Sequence, residues 1–439
     1  MQIVSLANKQ LSLFVEEEKG LLYCATTQTL HKLQSSSIAI LLAIDLGFDE
    51  SQCLIEVSRL GGVSKKDIIA SYRVVSDIYE SSKDVNHYPS EIQTTQAETY
   101  SDGLYPEIKN IPYQPLNPLF TDSGNKDEFV EPLCIEIGAV GFKLFIEQQK
   151  LRNVLAALLE PVLLTRELSS QSVMMEFVVR NYRKTYEVAN DCNACEVELF
   201  EFVSNSQVIE SKLAFNQVAP VLIERMQILT FQSTPFRFCF HGAALSKGEH
   251  VFLLPGKSGV GKSTLTSYLA KRGFFVHSDE MIAFNDEFQP LTIPMPIAIK
   301  RGAWQQVRAE YPHITQQPVW HLKDGRQVKY VWPDCDGFIE PKPVVSNAQP
   351  QTLHFIAPNF TPDQDLKANP HHPQQPLITP LTVIDTIELM TQGGYQVGKE
   401  LAFADVMAIV TLFSKSSCET LTYTSSKMAY RRFEQILAR

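Results

Sequence analysis

The stretch Gly256-Lys257-Ser258-Gly259-Val260-Gly261-Lys262-Ser263-Thr264 is a complete glycine-rich phosphate-binding loop of the form G-x-x-x-x-G-K-[ST]. Before it, His250-Val251-Phe252-Leu253-Leu254-Pro255 has the length and apolar character of a strand. After it, Leu265-Thr266-Ser267-Tyr268-Leu269-Ala270-Lys271-Arg272-Gly273 reads as a helix with Gly273 at its C-terminal cap. A chance glycine-rich turn fits neither flank. The glycines let backbone N–H groups crowd an anion, and the helix adds the positive end of its dipole. In that setting Lys262 reaches the β- and γ-phosphates and the Ser263 hydroxyl ligates Mg²⁺. The loop predicts a nucleoside triphosphate site, with ATP and Mg²⁺ as the expected ligands.

Working outward, 439 residues suit two or three domains, and a hydrophobic content of 44% is ordinary for a globular chain. A formal charge of −10 argues against nucleic acid, whose phosphate backbone demands concentrated Lys and Arg. No apolar run approaches the about 18 residues of a membrane span. Met1-Gln2-Ile3-Val4-Ser5 lacks a signal-peptide pattern, so a cytoplasmic protein without membrane contact is expected. Eight cysteines form no disulfide framework here. Cys192-Asn193-Ala194-Cys195 lacks the second pair or the histidines of a zinc site, and reads as a surface hairpin. His371-His372 falls in a proline-rich loop and reads as solvated.

Three segments follow. In residues 1–82, Leu11–Val15 and Leu21–Ala25 flank a hairpin signal, Glu16-Glu17-Glu18-Lys19-Gly20. Helices are expected near Ser36–Leu46, near Glu50–Leu60 and from Ser64 towards Ile78, giving a small winged-helix (α+β) unit. Residues 83–130, punctuated by Pro89, Pro106, Pro112, Pro115 and Pro118, read as an extended linker that lets the first unit move. Residues 131–439 read as an α/β domain. Its first strands are Leu133–Ile137, Phe142–Ile146 and Met175–Val179, and a helix near Gln217–Ser233 leads into Phe236–Gly242. Beyond the loop, Leu353–Ala357 is strand-like, and Thr382–Thr391, Phe403–Ser414 and Met428–Leu437 carry helical periodicity.

The chemistry concentrates near the loop. Phe274 to Phe284 reads as strand, acidic pair, strand, with Asp279 and Glu280 as the pair. Phosphoryl transfer needs metal-held phosphates and a carboxylate near the acceptor hydroxyl. Asp279 is assigned as the catalytic carboxylate and Glu280 as the metal-side partner, with the reverse left open; Ser263 completes the metal set. His241, at a strand end, can hydrogen-bond a transferred phosphate or touch the metal. Lys300 and Arg301 follow an apolar strand, where either can neutralise charge developing on the γ-phosphoryl group. The chain has no LSGGQ-type signature and no NKxD after the loop, which disfavours a transporter ATPase and a GTPase.

Two resemblances cover these segments. Gly20–Cys24 through Thr29–Leu33, then Ser36 and the helix ending at Leu46-Gly47, resembles a PqqD-like domain. That resemblance implies recognition of a precursor peptide by strand addition to a hairpin edge. His241-Gly242, the loop at 256–264, Arg272-Gly273 and the acidic doublet resemble HPr kinase/phosphorylase and, more distantly, phosphoenolpyruvate carboxykinase. The resemblance implies a P-loop kinase core. HPr kinases carry Asp-Asp where Asp279-Glu280 stands, which suggests a divergent branch. Together they imply an ATP- and Mg²⁺-dependent kinase for a serine or threonine of a precursor peptide or small protein, with homo-oligomerisation left open. A nucleotide-binding regulator or scaffold and a small-metabolite kinase remain as alternatives.

Overall fold

Four short antiparallel strands open the chain: β1 (Gln2–Val4), β2 (Leu11–Glu16), β3 (Lys19–Cys24) and β4 (Thr29–Gln34), in that spatial order. Three helices follow, α1 (Ser35–Asp45), α2 (Glu50–Arg59) and α3 (Lys65–Ser81). Ser64 caps α3 by accepting the Asp67 N–H at 3.2 Å. The hairpin and helices read from the sequence are present, and β1 and β4 widen the hairpin to four strands. The period of two sends alternate side chains to two different cores. Leu11, Leu13, Leu22, Cys24 and Leu33 pack with the three helices, whereas Phe14, Leu21 and Tyr23 face the rest of the chain. The coordinates, a computed structural model, describe residues 1–59, 64–83, 131–138, 140–164, 173–186, 195–204, 207–257, 259–333, 352–361, 375–392, 395–397 and 401–439. The linker after Lys83, Cys192 to Ala194, His371-His372 and Ser258 lie outside the described residues.

Residues from 131 build a five-stranded sheet in sequence order: β5 (Leu133–Ile137), β6 (Val140–Ile146), β7 (Val173–Tyr186), β8 (Cys195–Ser204) and β9 (Gln207–Leu213). Between β6 and β7 lies α4 (Gln149–Leu159), and after β9 comes α5 (Val218–Ser233). β6 and β7 are parallel, so they need a crossover, and α4 supplies it. Leu151, Leu155, Leu158 and Leu159 give α4 one apolar face, which packs into the same core as Phe142 and Phe177.

The central sheet carries the phosphate loop. Its elements in chain order are β10 (Phe238–Lys247), β11 (His250–Pro255), α6 (Lys262–Ala270), β12 (Phe275–Ser278), β13 (Met281–Phe284), β14 (Ile297–Lys300) and α7 (Trp304–Val307). Then come β15 (Trp320–His321), β16 (Gln327–Val331), β17 (Thr352–Phe360), β18 (Leu377–Pro380), α8 (Val383–Gln392), β19 (Tyr395–Val397), α9 (Phe403–Ser414), β20 (Ser417–Tyr423) and α10 (Ser426–Leu437). The sheet order is β12-β10-β11-β17-β20-β18, with β13 and β19 pairing along β10, and β14-β16-β15 form a separate small sheet. β11, β17 and β20 run parallel. On one face Leu265, Leu269, Phe433 and Ile436 of α6 and α10 meet Phe252 and Leu254. On the other, Ile384, Ile387, Ile409 and Phe413 of α8 and α9 meet Phe240, Val251 and Leu253. The architecture is mixed α/β with helices on both faces of this sheet. No helix among the described residues is long and apolar enough to cross a membrane.

The outer face of the N-terminal sheet docks on α8 and the start of α9. Lys19 pairs with Asp385 at 2.6 Å, and Lys32 pairs with Glu388 and, at 3.8 Å, with Asp385. Tyr23 donates to the Leu401 carbonyl at 2.5 Å, and the rings of Phe14 and Phe403 stack 6.1 Å apart. Glu16 accepts the Ile384 N–H at 3.2 Å. The reading of a freely moving unit did not include this packed face.

At the other end of the parallel strands, His354 is buried, its Nδ1 hydrogen-bonded to Ser417 Oγ (2.7 Å) and its Nε2 to His250 Nδ1 (2.9 Å). Burial pushes its pKa from 6.5 down to about 4, with His250 and Arg432 acting in the same direction. The unfolded chain then binds the extra proton first, so stability is intact above pH 6.5 and falls as pH drops towards about 4. His354→Gln is expected to remove up to about 3 kcal/mol of that acid loss. Urea midpoints measured across this pH range check it; a variant curve as steep as the parent's would refute the assignment.

Candidate functional site

The loop leaves the end of β11 in backbone conformations that suit glycine. Gly256, Gly259 and Gly261 have φ of 138°, 98° and 96°. At Gly261 a Cβ would lie 2.8 Å from the Tyr423 hydroxyl and 3.0 Å from Phe360 Cβ, so the loop rests directly on the ends of β20 and β17. The Phe360 N–H donates to the Val260 carbonyl at 3.2 Å and fixes that contact. Lys262 opens α6 and is only 6% exposed. Its ammonium donates to the carbonyls of Gly256 and, at 3.0 Å, Lys257. Burial lowers its pKa, and the nearby charges of Glu280 and Asp279 oppose that shift. The cation is therefore folded over the mouth of its own loop.

Opposite the loop, β10 pairs with β12 and then with β13, and the acidic doublet fills the gap between these two partners. Ala244 pairs with Ser278 and His241 with Met281. The Gly242 N–H donates to the Glu280 carbonyl at 3.0 Å. A Cβ on Gly242 would sit 2.7 Å from Ile282 Cδ1 and 2.8 Å from the Leu254 carbonyl, so only glycine lets the three strands converge.

The two carboxylates have different surroundings. Asp279 is 7% exposed, and neither of its carboxylate oxygens makes a well-aligned hydrogen bond, although the Ser263 and Thr266 hydroxyls lie close enough to favour its charged form. Burial raises its pKa and the Glu280 charge adds to that, while the facing hydroxyls of Ser263 and Thr266 pull the other way. The Glu280 side chain is 46% exposed and lies 3.6 Å from His241 Nδ1. Burial lowers the His241 pKa, Glu280 opposes this, and Lys262 and Lys300 reinforce it. Lys300, at the end of β14, also has its pKa lowered by burial and interacts with Glu280 and Asp279.

Thus His241, Lys262, Ser263, Asp279, Glu280 and Lys300 converge, from three separate elements and one inter-strand gap. Arg301 does not join them: it is exposed and donates to Gln327 Oε1 at 3.2 Å. Successive residues at a strand end project differently, which adjacency in sequence cannot reveal. Thr264 lies on the first turn of α6, where its carbonyl accepts the Ser267 hydroxyl at 2.9 Å. Thr266 is a member of the site that sequence reading missed; its signal was its place three residues after Ser263, on the same helix face.

Among the described residues, no group of three or more His, Cys, Asp and Glu is placed to hold a metal by protein ligands alone. A hydroxyl and one carboxylate nevertheless suit Mg²⁺, which takes few protein oxygens and fills its shell with phosphate and water. The two unpartnered, buried oxygens of Asp279 fit that role, since a buried charge with no partner is costly. No protein-family model matches this chain, and no curated protein matches it in sequence.

Proposed function

We propose that this chain is an ATP- and Mg²⁺-dependent kinase with a P-loop core, acting on a serine or threonine hydroxyl of a precursor peptide or small protein. The observation that carries the reading is the split of the acidic doublet across the loop. One carboxylate is buried without partners behind Ser263, and the other is half exposed beside His241. That split exchanges the roles expected from sequence: Asp279 with Ser263 would hold the metal, and Glu280 would meet the acceptor. Bound there, Mg²⁺ would neutralise phosphate charge. Lys262 binds the β- and γ-phosphates, and Lys300 offsets the charge that grows on the transferred group. Glu280 takes the proton from the acceptor hydroxyl as its oxygen bonds to the γ-phosphorus and the bond to the ADP oxygen breaks. His241, its pKa depressed by burial, stands beside that carboxylate without neutralising it.

For the acceptor, the support is the likeness of residues 1–82 to a peptide-recognition unit and the form of its sheet. Both faces of that sheet are covered, which leaves the edges β1 and β4 for strand addition. The test incubates the purified chain with Mg²⁺, γ-labelled ATP and a peptide-enriched extract, beside a Glu280→Gln variant. Label in a peptide with the parent alone is the expected result. Label confined to small metabolites would favour a metabolite kinase. Tight ATP binding with no labelled product in any fraction would favour a nucleotide-dependent regulator and overturn the kinase reading.

A further inference from the structure

Several hydroxyls on the helices of this protein fold back on their own backbone. Thr230 donates to the Met226 carbonyl at 2.8 Å, Thr386 to Thr382 at 2.8 Å, Thr411 to Met407 at 2.7 Å and Ser414 to Val410 at 2.8 Å. Thr266 breaks that habit. It is wholly buried, and its Oγ1 has no partner. It sits three residues beyond Ser263 on α6, so both hydroxyls share one helix face, and both face the Asp279 carboxylate. A buried donor without an acceptor thus stands opposite two buried acceptors without a donor.

We infer that Thr266 is a positioning residue for Asp279: its hydroxyl donates to one carboxylate oxygen when the other oxygen turns to a divalent cation held with Ser263. The inference rests on the Mg²⁺–nucleotide reading of the site. The hydroxyl and the carboxylate already face each other at close range, so a small turn of the carboxylate closes the hydrogen bond. Partners of this kind, which orient a ligating group without touching the metal, typically change metal affinity about 10- to 100-fold when removed.

The test uses the full chain and a fluorescent ADP analogue, titrated with Mg²⁺. Thr266→Val keeps the shape and removes the hydroxyl; Thr266→Ser keeps the hydroxyl. The Val variant should need about 10- to 100-fold more Mg²⁺ for half-maximal binding, with metal-free nucleotide affinity unchanged, and the Ser variant should stay within about threefold of the parent. In metal-free buffer the thermal midpoint of the Val variant should equal or exceed the parent's, because the hydroxyl it loses is unpaired. A Mg²⁺-dependent parent with an unshifted Val variant overturns the inference alone. Equal losses in Val and Ser, or a lower metal-free midpoint for Val, also overturn it by showing that packing is what the residue supplies. A parent that binds the analogue with no Mg²⁺ dependence overturns the reading of the site, and the inference falls with it.

Discussion

Lys262→Ala is expected to weaken ATP binding about 100- to 1,000-fold, since charge-assisted contacts to phosphate in a buried site are worth about 3–4 kcal/mol together. The lysine is nearly inaccessible and spends its hydrogen bonds on the carbonyls of Gly256 and Lys257. Its two carboxylate neighbours raise its pKa without overcoming the cost of burial. A cation kept under those terms is poised for an anion that is not protein. Isothermal titration with ATP, on a variant whose circular dichroism matches the parent's, measures the loss. Unchanged affinity would remove the loop from the nucleotide site.

Asp279→Asn should act in opposite directions on two measurements. Phosphoryl transfer falls about 100- to 10,000-fold, because the amide can neither hold Mg²⁺ as a carboxylate does nor offset its charge. Without Mg²⁺ the protein becomes more stable, because the change removes a carboxylate whose charged form burial disfavours and whose hydrogen bonds are poorly aligned. Its two amide protons can also turn towards Ser263 and Thr266. A gain of about 1 kcal/mol appears as a rise of roughly 2–4 °C in the thermal midpoint. A variant that loses activity and stability together would make Asp279 a structural residue.

The loop was legible because everything that defines it is local. Three glycines, two lysines and three hydroxyls lie within nine consecutive residues, and the flanks carry their own periodicities. Asp279 and Glu280 stood out by the same local route, but adjacency does not say which residue turns towards α6. Lys300 reaches the site only because β14 packs beside α6, a contact between distant segments. β4 escaped notice since Thr29-Leu30-His31-Lys32-Leu33-Gln34 buries one residue fully and alternates weakly. α4 is different: its leucines stand at helical spacing within the sequence itself.

The doubly covered N-terminal sheet changes what a cut chain would mean. A protein trimmed at residue 82 would bare Phe14, Leu21 and Tyr23 on one piece; on the other, Phe403, already part exposed, would lose the rings that pack on it. Two such pieces carry matching apolar surfaces ringed by matching charges, Lys19 and Lys32 against Asp385 and Glu388. Made as separate polypeptides in one cell, they have the chemistry to find each other again. What joins the two pieces is a mating surface as well as a covalent thread.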